Sequence, residues 1–162
     1  YSITIQPRLI PLKCRTRNNW FLAAGAKRLM RLTVKVLITL ATLVYGIVPA
    51  IADLNETHLL NPDWSAHARL HGAWFLAFAA GMALIGLFIL WRRDQLLLPI
   101  LIGLLFAAGF WVAVVTAPFY GGALVDENGI EAVVLGLDAN VFTFSVLTTV
   151  LLFTLAYALH SE

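Results

Sequence analysis

The sequence predicts an all-α fold, an integral membrane four-helix bundle whose apolar helices cross a lipid bilayer. Hydrophobic residues make up 60% of the 162 residues and charged residues only 12%, whereas soluble domains carry about a quarter charged residues. Four segments each approach the roughly 20 apolar residues that cross a hydrocarbon layer of about 30 Å. Four such helices cannot bury one another completely in so short a chain, so we expect the lipid bilayer to cover the remaining surface.

The spans are predicted at residues 32–52, 72–91, 96–118 and 141–159. The first span has a second interpretation. A basic start, an apolar stretch and the small residues Ala50 and Ala52 also describe a secretory signal peptide that is cleaved before Asp53. The segment is long enough to span and further spans follow it, which favours a retained helix.

The first 29 residues are predicted to be an irregular basic extension ahead of a membrane domain at residues 30–162. Pro7 and Pro11 lie among scattered basic residues without a sustained helical period. Met30 directly precedes a long apolar run, which gives the hypothesis that translation starts there and that residues 1–29 are not part of the native protein. A basic flank beside a membrane helix is the ordinary reason for such a charge run, so we expect no nucleic-acid partner.

The distribution of basic residues predicts the orientation of the chain. Eight of the eleven Lys and Arg residues precede or enter the first span, and Arg92 and Arg93 lie between the second and third spans. Arg69 is the one basic residue on the opposite side. By the positive-inside rule, both termini are cytoplasmic, and the loops 53–71 and 119–140 face outward together.

Small residues predict helix contacts. Ala77 and Gly81 in the second span, and Gly103 and Ala107 in the third, are each four residues apart, a spacing that lets helix backbones approach closely. Alanine and glycine are also common in spans without such a role. The pattern does not distinguish contacts within one chain from a helix–helix oligomer or from a partner in a larger membrane complex.

Polar residues gather on the predicted outer face. Seven of the nine acidic residues and three of the four histidines lie in the two outer loops. Asn61, Pro62 and Asp63 predict a helix start near Pro62, because an Asn cap, a proline in the first turn and an early acid all suit a helix N-terminus. His67 and His71 would then lie on one face of that helix, beyond the hydrocarbon layer.

Three interpretations of the histidines stay open: a structural hydrogen-bond network, metal or haem ligation, and acid/base chemistry. A metal site would use His58, His67 and His71 as ligands, or an acid in place of His58. His67, His71 and Glu131 are the candidate catalytic residues, with Glu131 as a proton acceptor or further ligand. The same polar cluster includes four other residues, namely Asn55, Glu56, Asn61 and Arg69.

Two further residues of the outer loops have structural interpretations. Arg69 is expected to pair with an outer acid or a lipid phosphate. Asp138 is expected to cap the fourth span, and the apolar stretch 130–137 before it is predicted to be either a strand or a re-entrant helix.

Several absences narrow the function. No Asp, Glu, Arg or His lies in the middle of a span, and ion pumps and secondary transporters normally carry such residues. Cys14 is the single cysteine, which excludes the membrane oxidoreductases that pass electrons through paired thiols. No cofactor is identified by the sequence.

A stretch after the first span resembles that of small, uncharacterised bacterial four-helix membrane proteins, which are loosely similar to the DoxX-like proteins. The pattern is NxTHxxNPxWxxHARxH, formed here by Asn55, Thr57, His58, Asn61, Pro62, Trp64, His67, Ala68, Arg69 and His71. The resemblance implies a four-helix fold in a bacterial inner (plasma) membrane. It implies no particular reaction.

Together these observations predict a small multi-pass membrane protein of unassigned biochemical role. Its outward-facing cluster of His, Arg and acidic residues is expected to be structural or ligand-binding. One alternative is a membrane enzyme that acts on a lipid-like or quinone-like substrate, with or without a metal. Another alternative is an accessory subunit of a larger membrane complex.

Overall fold

The computed structural model describes residues 13–125 and 132–161, with side chains from residue 21 onward. Four helices in this part of the chain are long and apolar enough to cross a membrane: Phe21–Ala52, Ala66–Arg92, Leu97–Tyr120 and Ala139–Ser161. The helical elements are α1 (Lys13–Gly46), α2 (Val48–Ala52), α3 (Ala66–Arg92), α4 (Leu97–Tyr120) and α5 (Ala139–Ser161). The predicted all-α class with four candidate spans is therefore confirmed.

The N-terminal segment differs from the sequence prediction. The chain divides into two units, Tyr1–Thr33 and Val34–Glu162. In the first unit, residues 13–29 belong to α1 and are not irregular. No proline lies between Pro11 and Pro49, and the intervening residues include strong helix formers such as alanine, leucine and arginine. The prediction for residues 1–12 lies outside the described residues, and the start at Met30 stays a prediction.

The second unit begins within α1. The predicted first span is formed by two helices, the end of α1 and the short α2. Helix α1 ends at Gly46 and α2 begins at Val48. Pro49, at the second position of α2, has no N–H to continue the hydrogen-bond ladder. Gly46 lies against α3, where a Cβ atom at residue 46 would overlap the Cβ of Ala83 and lie 3.1 Å from the Ala79 carbonyl oxygen.

Helix α3 begins later than predicted. Its N-cap is Ser65, whose Oγ accepts a hydrogen bond from the Ala68 N–H at 3.1 Å. The predicted start near Pro62 is wrong because Asn61 is used in a local turn, in which its Oδ1 accepts from the Asp63 N–H at 2.9 Å. The 27 residues of α3 are about 40 Å long at 1.5 Å per residue. His67 and His71 lie in its first two turns.

The four helices of the second unit pack through two buried clusters. One contains Val34, Ile38, Leu90, Leu96, Ile100 and Ala158, and the other contains Ala41, Tyr45, Ala83, Ile102, Ala107, Leu147 and Leu151. Gly103 and Ala107 are buried, and a Cβ at residue 103 would lie 3.0 Å from Leu151. The predicted contact at this pair is therefore made within the chain.

The other predicted pair makes no close helix contact within the described residues 13–125 and 132–161. Ala77 is exposed, and a Cβ at Gly81 would meet no atom within 4 Å. Helix α3 instead turns Ala79, Ala83 and Gly86 toward the interior.

A partly buried ion pair joins α1 to the short turn between α3 and α4. The sequence suggests that the Lys35 amine extends to the lipid headgroups, but Lys35 Nζ lies 3.0 Å from Asp94 Oδ1. The Lys35 side chain is 11% exposed, and its amine lies 4.5 Å from the centroid of the Trp91 ring. The Trp91 indole N–H donates to Thr39 Oγ1 at 3.0 Å. This network fixes the α3–α4 turn against α1.

A short hairpin precedes α5. Strands β1 (Val133–Val134) and β2 (Leu137–Asp138) are antiparallel, and the two residues between them both have positive φ, as in a type I′ turn. The strand interpretation of this stretch is confirmed for the described residues. Asp138 caps α5 as predicted, because its Oδ1 accepts from the N–H groups of Asn140 (2.9 Å) and Val141 (3.0 Å).

Candidate functional site

Two ends of the helix bundle are distinguished by their connections. The loop end carries residues 53–65, 121–125 and 132–138, and the turn end carries residues 93–96. The described members of the predicted polar cluster lie at the loop end, and two cavities also lie there or in the adjoining half of the bundle.

Asn55 organises the loop that follows α2. Its Oδ1 accepts hydrogen bonds from the Thr57 N–H (2.9 Å), the Thr57 hydroxyl (2.8 Å) and the His58 N–H (3.1 Å). Its amide nitrogen donates to the Ala52 carbonyl at 2.8 Å. Asn61 is buried and holds the next turn. These two members of the predicted cluster therefore hold the loop in place through hydrogen bonds.

His58 is held by the same network. Thr57 Oγ1 lies 2.8 Å from His58 Nδ1. Because the Thr57 hydroxyl already donates its hydrogen to Asn55, the threonine oxygen is left to accept from the Nδ1–H of the imidazole. In this arrangement the Nε2 atom of a neutral His58 is a hydrogen-bond acceptor.

His58 lines a polar cavity of about 520 Å³ at the loop end. The polar side chains of its wall come from the 53–65 loop and from the start of α5, and they are Thr57, His58, Asp138 and Asn140. Trp64 and the residues around Gly121 complete the described wall. The wall is therefore able to form hydrogen bonds on two sides.

An apolar cavity of about 730 Å³ lies between the helices in the half of the bundle next to the loop end. All four candidate spans contribute to it. Its aromatic wall consists of Tyr45, Phe75, Phe78, Phe106, Phe110 and Phe144. Besides the hydroxyl-bearing Tyr45, its polar side chains are Asp53, Asn140 and Thr143.

The aromatic side chains of this wall are packed against one another. The rings of Phe110 and Phe144 are stacked, with centroids 3.9 Å apart and an interplanar angle of 8°. The Tyr45 ring stacks on the Phe106 ring with centroids 4.7 Å apart. The ring centroids of Phe75 and Phe78 each lie 6.2 Å from that of Phe106. Such contacts hold the rings in place without filling the space between the helices.

The two cavities adjoin at Asn140, which lines both of them. Asp53, in the wall of the apolar cavity, interacts electrostatically with His58, in the wall of the polar cavity. Partial burial raises the pKa of the Asp53 carboxyl, and the nearby His58 lowers the same pKa by a smaller amount. The junction therefore combines an amide, a carboxyl group and an imidazole beside an apolar space.

His67 and His71 form a separate pair. Their Nε2 atoms lie 3.1 Å apart, and the two rings are nearly perpendicular. The prediction that they share a helix face is confirmed. Both are exposed, and among the described residues neither lines the polar or the apolar cavity.

The predicted three-ligand metal site is not assembled in the described part of the chain. No group of three His, Cys, Asp or Glu side chains there is able to hold a metal ion, so His58 does not complete a site with the His67–His71 pair. Glu131 lies outside the described residues. Glu56 and Arg69 line neither cavity, and the pairing of Arg69 with an acid or a phosphate stays a prediction.

The apolar cavity was not predicted from the sequence, nor was it predicted that Asp53 and Asn140 line its wall. Aromatic residues three or four apart, such as Phe75 with Phe78 and Phe106 with Phe110, are the signal that such a wall leaves. The same spacing is common in ordinary apolar helix faces. Asp53 follows directly after the first span and reads from sequence only as part of a loop.

Comparisons with known proteins give one match. Residues 37–162 match the family described as "Family of unknown function (DUF6640)". Neither the curated proteins nor the solved structures include a match. The matched region contains the loop 53–65 and both cavities. Because it covers most of the sequence, the chain belongs to the DUF6640 family, a family of unknown function.

Proposed function

We propose that this protein is a multi-pass membrane protein that binds one lipid-like amphiphile between its helices. The apolar body of the ligand occupies the aromatic-walled cavity, and its polar head lies at the junction of the two cavities. The observation that carries this proposal is that Asn140 lines both the apolar and the polar cavity. The apolar cavity is within the 300–1,000 Å³ typical of ligand sites.

Entry from the surrounding lipid is consistent with the exposure of the cavity wall. Leu105 is 72% exposed and Val48 is 52% exposed although both line the apolar cavity. Because these wall residues are exposed, the cavity is open to the outer surface of the helix bundle. Acyl chains of a bilayer would therefore have access to this space without passing through water.

The polar head is expected to supply most of the selectivity. Moving an apolar tail from the bilayer into the cavity gains little, because lipid tails are as apolar as the wall. A hydrogen bond to a charged group contributes about 1.5–3 kcal/mol, which is roughly a ten- to hundredfold change in affinity. Asp53 is the carboxylic acid among the described residues of the apolar cavity wall, which favours a head that donates hydrogen bonds.

We also propose that the loop end faces away from the cytoplasm of a bacterial cell, with the chain in the inner membrane and both termini cytoplasmic. Arg92 and Arg93 lie next to the turn end, and Lys35 contacts Asp94 there, whereas Arg69 is the one Lys or Arg residue of the segment 53–71. The positive-inside rule favours the end with more Lys and Arg residues as the cytoplasmic one.

The experiment compares two adjacent substitutions in α4. Gly109 lines the apolar cavity, and a Cβ at this position would meet no described atom within 4 Å, so the side chain of Gly109→Leu is expected to occupy space in the cavity. Ala108 is exposed and is not a lining residue, so Ala108→Leu adds a similar volume outside it. The proteins are purified in mild detergent, and bound molecules are detected by native mass spectrometry and identified after extraction.

We expect about one amphiphile per chain with the wild type and with Ala108→Leu, and a loss of at least tenfold with Gly109→Leu. Equal amounts of the same molecules in all three samples would contradict the proposal. A wild type that retains no molecule under conditions that preserve its helical content would contradict it as well.

Two alternatives from the sequence remain proposals with their own tests. For the enzyme, we propose Asp53 and His58 as acid and base in place of the predicted candidates His67, His71 and Glu131, because Asp53 and His58 interact electrostatically beside the cavity. Asp53→Asn would then accumulate bound substrate that the wild type converts. An accessory subunit would instead co-purify with one constant protein partner.

A further inference from the structure

We propose that His67 and His71 form a two-ligand site for a divalent transition metal, with a preference for Cu²⁺. The two imidazoles already lie side by side on the surface of α3. The site lies apart from the two cavities, so this proposal does not depend on the binding of an amphiphile.

The position of the two imidazoles on a regular helix provides the chelating arrangement. Residues four apart lie one above the other on a helix face, and here the Nε2 atoms of His67 and His71 are 3.1 Å apart. Helix α3 is continuous through both residues, from Ala66 to Arg92. The two nitrogens therefore meet a metal ion without a change in the backbone.

The separation of the nitrogens suits the binding of one metal ion. With metal–nitrogen bonds of about 2.0–2.1 Å, two nitrogens 3.1 Å apart subtend an angle of about 95–102° at the metal. This range lies between the right angle of square-planar and tetragonal sites and the tetrahedral angle preferred by Zn²⁺, so both geometries are compatible with the pair. The preference for Cu²⁺ follows from the order of affinities, in which a given nitrogen site binds Cu²⁺ more tightly than Ni²⁺ or Zn²⁺.

The present hydrogen bond leaves both imidazoles suitable as ligands. In a neutral pair, one Nε2–H donates to the lone pair of the other Nε2. Metal binding requires the donating ring to carry its hydrogen on Nδ1, so that both Nε2 lone pairs face the ion. This change moves a hydrogen within one ring and leaves the charge of the pair unchanged.

The exposure of the pair makes the ion exchangeable. His67 and His71 are both exposed, and no third His, Cys, Asp or Glu joins them within the described residues. The remaining coordination positions are therefore taken by water or by a ligand from outside. This arrangement suits transient binding of a metal rather than a permanent structural ion.

Trp74 provides an intrinsic probe for this site. Its ring lies 5.9 Å from that of His71, and Cu²⁺ quenches indole fluorescence at short range. Five tryptophans contribute to the emission, so a Trp74→Phe variant identifies the part of the signal that arises beside the histidines.

The test uses the full chain in detergent, purified without a histidine tag and freed of metal. Cu²⁺, Ni²⁺ and Zn²⁺ are titrated separately while fluorescence is recorded, and the Cu²⁺ complex is examined by electron paramagnetic resonance. His67→Ala and His71→Ala each remove one ligand, and alanine is well tolerated in a helix. His160→Ala, at the other end of the bundle, is the matched control.

We expect one Cu²⁺ per chain, a spectrum with two nitrogen ligands, and affinity in the order Cu²⁺, Ni²⁺, Zn²⁺. Each single variant at the pair is expected to bind Cu²⁺ at least tenfold more weakly, whereas His160→Ala binds as the wild type does. Affinity that is unchanged in both His67→Ala and His71→Ala would overturn the proposal. A spectrum with fewer than two nitrogen ligands at one equivalent of Cu²⁺ would overturn it too.

Discussion

Gly46→Ala tests the close packing of α1 against α3. A Cβ at residue 46 would overlap the Cβ of Ala83 and approach the Ala79 carbonyl oxygen to 3.1 Å. Both obstacles are fixed to the α3 backbone, so a rotamer change cannot relieve the overlap and the helices must separate. Overpacking of this kind costs about 1–3 kcal/mol, while alanine regains up to about 1 kcal/mol in helix propensity. With the full gain in propensity, we therefore expect a net loss of about 0–2 kcal/mol, which is about 1–3 kcal/mol less stable than a variant with the same gain and no overlap.

The control for this substitution is Gly81→Ala in α3, where the added Cβ meets no atom within 4 Å. This variant is expected to be neutral or slightly stabilised, because only the helix propensity changes. Unfolding by SDS in mixed micelles, followed by circular dichroism, gives the free energies. Ala83→Gly is expected to restore part of the loss when it is combined with Gly46→Ala. Equal stability of Gly46→Ala and Gly81→Ala, or no rescue in the double variant, would refute the packing described for α1 and α3.

Two further substitutions test the loop end. Asp138→Ala removes the acceptor for the N–H groups of Asn140 and Val141 and is expected to cost about 0.5–2 kcal/mol. Asp138→Asn keeps a capping oxygen and should retain most of the stability, so equal losses in both variants would argue against the cap. The second substitution concerns the pH dependence of stability. Burial raises the pKa of Asp53, so the folded state takes up a proton more readily than the unfolded chain, whose Asp pKa is about 3.9. Protonation therefore favours folding, and this contribution is lost as the pH rises through the raised pKa. Relative to Asp53→Asn, the wild type should gain stability as the pH falls from 7 toward about 4, measured as the difference in Tm, and a constant or opposite difference would contradict the burial of Asp53.

The four long apolar helices of the fold were predictable because they depend on composition and length. Apolar segments of this length form helices in a bilayer whatever their packing, and the described part of the chain has four helices long and apolar enough to cross one. The capping role of Asp138 was predictable for a related reason. A single acidic residue immediately before an apolar helix has few other local uses.

The boundaries of the helices were less predictable where two signals compete. Asn61 and Ser65 are both good caps, and the sequence does not show which one begins α3. The structure uses Asn61 in a turn and Ser65 as the cap. Similarly, Lys35 reads as a lysine that extends to the headgroups, because its partner Asp94 lies 59 residues away in the sequence.

The candidate site was only partly predictable because it depends on tertiary packing. The sequence placed polar residues at one end of the bundle, and His58 does lie in a cavity wall there. The proximity of His67 and His71 followed from helix periodicity. A cavity is the space that packed helices leave unfilled, however, and no local sequence pattern predicts its volume. The contribution of Asn140 to both cavity walls could be found only once the helices were placed in space.

Photocrosslinking from within the apolar cavity tests the central claim most directly. A benzophenone amino acid replaces Phe144, which lines the cavity, or Phe153, which is 56% exposed on the same helix and is not a lining residue. After irradiation in native membranes, the adducts are identified by mass spectrometry. We expect one predominant adduct mass from position 144 and a mixture that reflects the bulk lipids from position 153. The same mixture from both positions would show that the cavity holds no selected ligand.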